Sequence, residues 1–458
     1  MHRTVVINVV GLTTDLLSAE TSPNLWALAK GGAQRPIETV LPAVTCSVQS
    51  TFLTGVLPRE HGIVGNGWYF RDLAEILFWR QSNHLVTAEK VWETAKRRDP
   101  SFTCAQMFWW FNMHSSADVA VTPRPLYPSD GRKIPDIYTE PKELRDELNE
   151  RLGQFPLFHF WGPKADIVSS EWIAASSLDV FDRNKPTLSL IYLPHLDYNL
   201  QRLGPDHPAI KEDVRAVDAI VGRIVDHVRA QGARVVVLSE YGITKVTGAV
   251  HINRALREAK LLRIREELGT EKLDAGGSEA FAVADHQIAH VYVKRKERIP
   301  EVKRLLESLD GVERVLEGED KQREGLDHPR SGELIAISSA DRWFTYYFWL
   351  DDALAPDYAR TVDIHRKPGY DPVELFVDPK IPLVPLKIGF RLAQKVLGFR
   401  YLMDVIPLDA SLVKGSHGRI TDRAEAGPLL ISSEARHVPE RLQACDVKAL
   451  LLRHLFDD

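Results

Sequence analysis

The chain has 458 residues, 44% of them hydrophobic and 26% charged, with a formal net charge of −5. This is the balance of a soluble globular protein and excludes a collagen-like, low-complexity or wholly disordered chain. There is no basic surplus to suit nucleic acid and no run of ~18 apolar residues to span a membrane. The three scattered cysteines, Cys46, Cys104 and Cys445, supply neither a disulfide framework nor a thiolate zinc site.

In chain order, Val5 to Val10 reads as a buried strand ended by Gly11, because β-branched residues dominate it. It comes too early and is too short for an export signal, so a cytoplasmic location is expected. A helix is expected over about Asn24 to Ala29. The stretch from Phe108 to about Pro186 opens on Phe108, Trp109, Trp110 and Phe111 and continues through a proline-rich passage and a charged helix near Glu143 to Leu152. It is expected to cover the sheet rather than extend it. Leu190 to Leu193 and Ala233 to Leu238 read as two further buried strands. Between them Val214, Val217, Ile220, Val221, Ile224 and Val228 repeat at helical spacing. Strand, helix and strand at that length make a βαβ unit, so the fold class expected is α/β, a mostly parallel central sheet sandwiched by helices. Val291 to Val293, Pro300 to Leu309 and Val312 to Leu316 suggest strand, helix and strand, a small α+β subdomain over about 282–340. The organisation expected is thus one domain over 1–458, with a cover insertion over 108–186. Ligands of such sheets sit beyond the carboxyl ends of the strands, which singles out the residues after Val10, Leu193 and Leu238.

The densest chemistry lies between Leu41 and Asn66. Thr45 follows a proline-bearing loop and opens a segment, Cys46 to Leu53, that suits a helix. A hydroxyl there is commonly an N-cap. The same place gathers free N–H groups and a positive dipole end, which suit a phosphate bound to that hydroxyl.

Thr45, Thr54-Gly55 and His61-Gly62-Ile63-Val64-Gly65-Asn66 resemble the nucleophile segment of the nucleotide pyrophosphatase/phosphodiesterase branch of the alkaline phosphatase superfamily. The resemblance continues in order through Tyr192 to Asp197, Ser239-Glu240-Tyr241-Gly242 and Gly415-Ser416-His417-Gly418, about residues 4 to 432 in all. It implies an alkaline-phosphatase-like fold, Thr45 as the nucleophile, Asn66 as a donor to a phosphate oxygen, and metal held by Asp197 and His417. Of the seven positions that hold two zinc ions in the family, only Thr45, Asp197 and His417 keep their residue type. The remaining acidic ligand of the first strand is Val10, a histidine is Gln201, and an Asp-His pair is Glu240-Tyr241. Glu240 keeps a carboxylate. His195, two residues before Asp197, would share its side of an extended segment and offers a substitute ligand. An ordinary two-zinc site is not expected; one divalent ion, zinc or manganese, held by Asp197, His417, Glu240 and His195, is.

Other groups have plainer readings. Asp285, His286 and His290 suit core or capping roles, and Trp343 to Trp349 suit core filling, with an organic-substrate pocket as the alternative. Asp363 and His365 precede Arg366-Lys367, which would repel a cation, so this segment reads as an ordered turn or an anion contact. Where the family's nucleotide hydrolases carry a base-stacking aromatic, this chain has Cys46; the aromatic patch at 109–111 reads as core of the cover segment, with a different apolar platform as the alternative. The expected function is hydrolysis of a phosphoester or phosphoanhydride in a small phosphorylated substrate by a metal-dependent enzyme. The alternative is a catalytically silent relative that binds a phosphorylated or aromatic ligand or a partner protein.

Overall fold

The computed structural model describes residues 1–129, 132–399 and 402–457. Its two larger sheets are built from β1 (Thr4–Val9), β2 (Ala33–Pro36), β3 (Cys104–Met107), β4 (Val119–Pro123), β5 (Ile137–Glu140), β6 (Leu188–Leu193), β7 (Arg234–Leu238), β8 (Ala280–Asp285), β9 (Ile288–Val293), β10 (Val312–Leu316), β11 (Leu334–Ser338) and β12 (Leu429–Ser432). The helices used below are α1 (Pro23–Gly31), α2 (Thr45–Thr54), α3 (Ile167–Asn184), α4 (His195–Leu203), α5 (Ile210–Arg229), α6 (Val384–Val396) and α7 (Val447–Phe456).

The central sheet has eight strands in the order β2-β12-β7-β1-β6-β3-β4-β5. Strands β7, β1, β6, β3 and β4 are parallel; at one edge β12 runs antiparallel to β7 and β2 antiparallel to β12, and at the other β5 runs antiparallel to β4. The middle strands are apolar on both faces because helices cover both: every residue of β1 and β6 is buried. In β1, Ile7 faces Ile191 on one side and Val237 on the other. Helix α5 packs on α1 and α3, and its buried stripe contains Val214, Val217, Ile220, Val221, Ile224 and Val228, the residues whose spacing marked it as a helix. The α/β sandwich is therefore the observed fold class.

The 108–186 stretch departs from expectation. Strands β4 and β5 lie within it and extend the sheet instead of covering it; α3 does the covering. The buried run Val119-Ala120-Val121 pairs parallel with β3, and β5 turns back across β4 to close the edge. Four to five residues of apolar strand beside so many prolines left little periodicity to read.

A second sheet, antiparallel in the order β8-β9-β11-β10, surrounds its own hydrophobic core. Trp343, Phe344, Tyr346, Tyr347, Phe348 and Trp349 all fill that core, as the plainer reading held. The turn between β8 and β9 reaches the end of the central sheet, where the candidate site lies.

Candidate active site

Three neighbouring parallel strands deliver the centre. β1 ends at Asn8 and Val9, β6 runs into Pro194 and α4, and β7 runs into Ser239, Glu240 and Tyr241, so their carboxyl ends face one place. A two-stranded ladder, Thr244–Lys245 with Gly415–Ser416, brings in His417 from the far end of the chain.

Helix α2 is buried along its whole length despite its polar residues. Three of its hydroxyls are satisfied within the helix: Ser50 donates to the Cys46 carbonyl at 2.7 Å, Thr51 to Ser47 at 3.0 Å and Thr54 to Ser50 at 2.6 Å. Gly55, with φ of 72°, supplies the left-handed ending. The residue in the capping position is Val44, and Thr45 is the first helical residue. Thr45 is therefore not a cap. Its Oγ1 lies 3.2 Å from the hydroxyl of Tyr241. The Tyr241 hydroxyl donates in turn to Asp197 Oδ1, at 3.2 Å. With Tyr241 donating to the carboxylate, Thr45 donates to Tyr241, and the three form a directed chain.

The residues around it are each tied down. The Gln201 amide, one helical turn after Asp197, donates to Asp197 Oδ2 at 2.7 Å and accepts from the Tyr370 hydroxyl at 3.0 Å. Glu240 Oε1 accepts from Asn8 Nδ2 and from Gln49 Nε2, both at 2.6 Å, while Oε2 is buried without a partner. Asn66 accepts from the Cys46 N–H through Oδ1, and its backbone N–H and one amide hydrogen go to Asp285 at 2.8 and 3.0 Å. His417 donates from Nδ1 to the Ala43 carbonyl at 2.8 Å. That fixes its tautomer and leaves Nε2 a bare lone pair, buried and 3.9 Å from Asp197 Oδ1.

Burial dominates the electrostatics. It pushes the carboxyl of Asp197 up to about 7 and that of Asp285 up to about 7, and that of Glu240 up to about 8, in each case against the hydrogen bonds just described. Burial likewise lowers His417 to about 3, so its imidazole is neutral.

Zinc takes about four nitrogen, sulfur or oxygen ligands, and even an open site keeps about three from the protein. Asp197 and His417 do converge, and the bare Nε2 is the kind of atom that ligates. Glu240 has one oxygen held by two amides. His195 is turned away: its Nε2 is 3.3 Å from Asp213 on α5 and its ring stands edge-on to Tyr198. The expectation of a shared side fails because 195–203 is a helix, where residues two apart diverge by about 200°. Tyr241 stands where the resemblance puts a ligating imidazole, its ring stacked on His417 at 3.5 Å and 7°. Among the described residues no three His, Cys, Asp or Glu side chains are grouped to hold a metal ion. The residues present do not fit a zinc pair, and they stop one ligand short of a single ion.

Two residues given plain roles from sequence belong to the centre. Asp285 holds Asn66, and His286, in the turn after it with φ of 62°, packs between His417 and Tyr370 at 3.6 Å from each. An Asp-His pair at the tip of a tight hairpin was the available signal. It went unread because a single strand was expected at Val291, not two strands turning at residues 286–287. The rings continue outward from Tyr370 to half-buried Trp79 at 6.0 Å and on to Trp110 at 5.0 Å. Trp110 packs with Cys46. Beside Trp79, positive charge from Arg80, Lys133 and Arg124 assists burial in lowering His365 to about 4. Lys367 faces inward instead of meeting a ligand: its ammonium is buried between Asp371 and Glu374, 2.7 Å from each.

A family model described as type I phosphodiesterase / nucleotide pyrophosphatase matches residues 4–371. An uncharacterized pyrophosphatase/phosphodiesterase of Schizosaccharomyces pombe is 25% identical over 250 residues, 52% of this chain; the match spans only 44% of that relative's length. Among solved structures, murine ectonucleotide pyrophosphatase / phosphodiesterase 5, as an inactive variant in complex with AMP, superposes with a TM-score of 0.60 at 14% identity, over 99% of this chain and 95% of that one. Phosphonoacetate hydrolase from Sinorhizobium meliloti in complex with phosphonoformate gives 0.62 at 13% identity, over 99% and 96%. At those identities the structural likeness speaks for the fold.

Proposed function

The chain belongs to the type I phosphodiesterase / nucleotide pyrophosphatase family, and we propose that it hydrolyses a phosphoester or phosphoanhydride bond in a small phosphorylated molecule with Thr45 as nucleophile. The observation that carries this reading is the directed chain from Thr45 through Tyr241 to Asp197. Because the donor set falls short of an ion, the threonine is activated by a base: Thr45 Oγ1 attacks phosphorus, its proton passes to the Tyr241 oxygen, and the Tyr241 proton passes to Asp197. The leaving oxygen departs, and water then releases the phosphoryl group from Thr45 with the proton returning by the same route. The spare amide hydrogen of Asn66 and the first-turn N–H groups of α2 hold the developing negative charge. Arg80, Arg124 and Lys133 favour an anionic substrate, and Trp79 with Trp110 replace the aromatic platform that Cys46 removes.

The test is turnover of a chromogenic phosphodiester by wild type, Thr45→Ala and Tyr241→Phe, each with and without a chelator. Expected are loss of turnover in Thr45→Ala, a fall of about a hundredfold in Tyr241→Phe, and no effect of the chelator. Unchanged turnover in Thr45→Ala removes the nucleophile; chelator-sensitive turnover removes the metal-free activation while leaving Thr45.

A second reading, a catalytically silent relative that binds a phosphorylated or aromatic ligand, is favoured by closure of the centre. Thr45 is 4% exposed, and the rings of Tyr241, His417, His286 and Tyr370 are stacked without a gap. Absence of turnover in the wild type together with a rise in melting temperature on adding AMP would select it.

A further inference from the structure

Far along the chain from these groups, α6 shows an unpartnered apolar face. Leu386, Phe390 and Leu397 follow one another at steps of four and seven residues, one side of the helix, and with Leu383 just before it they are 67%, 62%, 72% and 70% exposed in that order. Val396 and Phe399 add 85% and 65%. Ile388 on the opposite side packs on the second core, and on the flank Lys387 and Arg391 pair with Asp404 at 2.9 and 3.0 Å. Large side chains held in water on a fixed helix need a cover.

The charge says which cover. From Lys380 to Met403 the sequence has five basic residues, Lys380, Lys387, Arg391, Lys395 and Arg400, and no acidic one, in a chain that is net −5. Counting Asp404, the stretch still carries +4. A second copy docked face to face would bring like charge onto like charge. An anionic lipid surface supplies both the apolar layer and the opposite charge. A span is excluded on length, since 13 residues rise about 20 Å against a hydrocarbon core of about 30 Å, and no described helix is long and apolar enough to cross a membrane.

We propose that α6 is a membrane-surface anchor, lying in the interface of an anionic bilayer with Leu383, Leu386, Phe390 and Leu397 inserted among the acyl chains.

The experiment is co-sedimentation of the full chain with vesicles of phosphatidylcholine alone and of phosphatidylcholine mixed with phosphatidylglycerol, at low and high salt, for wild type and Leu386→Glu/Phe390→Glu. Expected are binding to the anionic vesicles, weakening as salt is raised, and a loss of about tenfold or more in the double variant, with melting temperature unchanged because both side chains are exposed. Should the double variant melt lower, Phe390→Ser replaces it. Wild type remaining in the supernatant with anionic vesicles overturns the proposal, as does equal binding by the variant. So does a dimer in light scattering that the variant abolishes without any lipid binding, since that assigns the face to a second copy.

Discussion

Tyr241→Phe removes one oxygen from the middle of the centre and keeps the ring on His417. Two hydrogen bonds go with it, to Thr45 and to Asp197 at 3.2 Å each. Thr45 loses its acceptor, and Asp197 Oδ1 is left buried beside an imidazole nitrogen that carries no proton. Leaving a buried polar group unsatisfied costs about 1–3 kcal/mol, and Asp197 keeps its Gln201 donor, so the expected loss of stability is about 2 kcal/mol. Tyr241→Ala also removes the stacked ring and opens a cavity, for about 3–5 kcal/mol in all. Chemical denaturation followed by near-ultraviolet circular dichroism reads both. A Tyr241→Phe protein within about 0.5 kcal/mol of wild type, the usual scatter for substitutions away from buried features, would refute the hydrogen-bonded chain on which the proposed activation rests.

Three further outcomes are expected. Restoring the family's donors with Val10→Asp, Gln201→His and Tyr241→His converts the centre into a metal site, so elemental analysis finds near-stoichiometric divalent metal in the triple variant and little in wild type; equal metal in both means that the present donors suffice. Lys367→Met leaves Asp371 and Glu374 buried without their cation and costs about 3–5 kcal/mol, read as a fall in melting temperature; a fall no larger than for a surface lysine means that the two acids are held by other groups. His61, lowered by burial to about 3 and accepting the Ile63 N–H at Nδ1, stays neutral in the folded state. The unfolded chain takes up that proton below about 6.5 and the folded chain does not, so the stabilisation is complete above 6.5 and is lost as pH falls toward 3. A His61 resonance titrating near 6.5 in the folded protein contradicts this.

The middle strands and the loops after them were legible because period and spacing are local. β1, β6, β7 and α5 announce themselves by continuous apolar runs or a 3.6-residue repeat, and the positions after Leu193 and Leu238 do meet. What stayed hidden depends on partners distant in sequence. That the Thr45 hydroxyl meets a phenol depends on where Tyr241, far along the chain, lands. His195 was misplaced by assuming an extended segment where Pro194 in fact leads into a helix. Asp285 and His286 join the centre because a second sheet leans on the first; the Asp-His pair can mark a hairpin tip but not where that tip lands. Lys367 is the local exception: its acids lie only four and seven residues on, but in an irregular turn that no periodic pattern marks.

The altered positions make sense together more than singly. In a metal centre a cation neutralises the clustered carboxylates; here each carboxylate meets neutral donors instead. Gln201 donates to Asp197, Tyr241 donates to its other oxygen, and Asn8 and Gln49 share one oxygen of Glu240. Val10, fully buried, adds no further negative charge. If a divalent ion were to enter, it would have to displace the Tyr241 hydroxyl from Asp197, losing a bond that now makes that carboxyl's burial tolerable, and only Oε2 of Glu240 would meet it without a partner to lose. Gln201 and Tyr241, at positions where the resemblance puts ligands, both donate to Asp197 and hold Thr45, Tyr241 and Asp197 in one hydrogen-bonded line, so restoring either ligand alone should destabilise the chain before it binds metal.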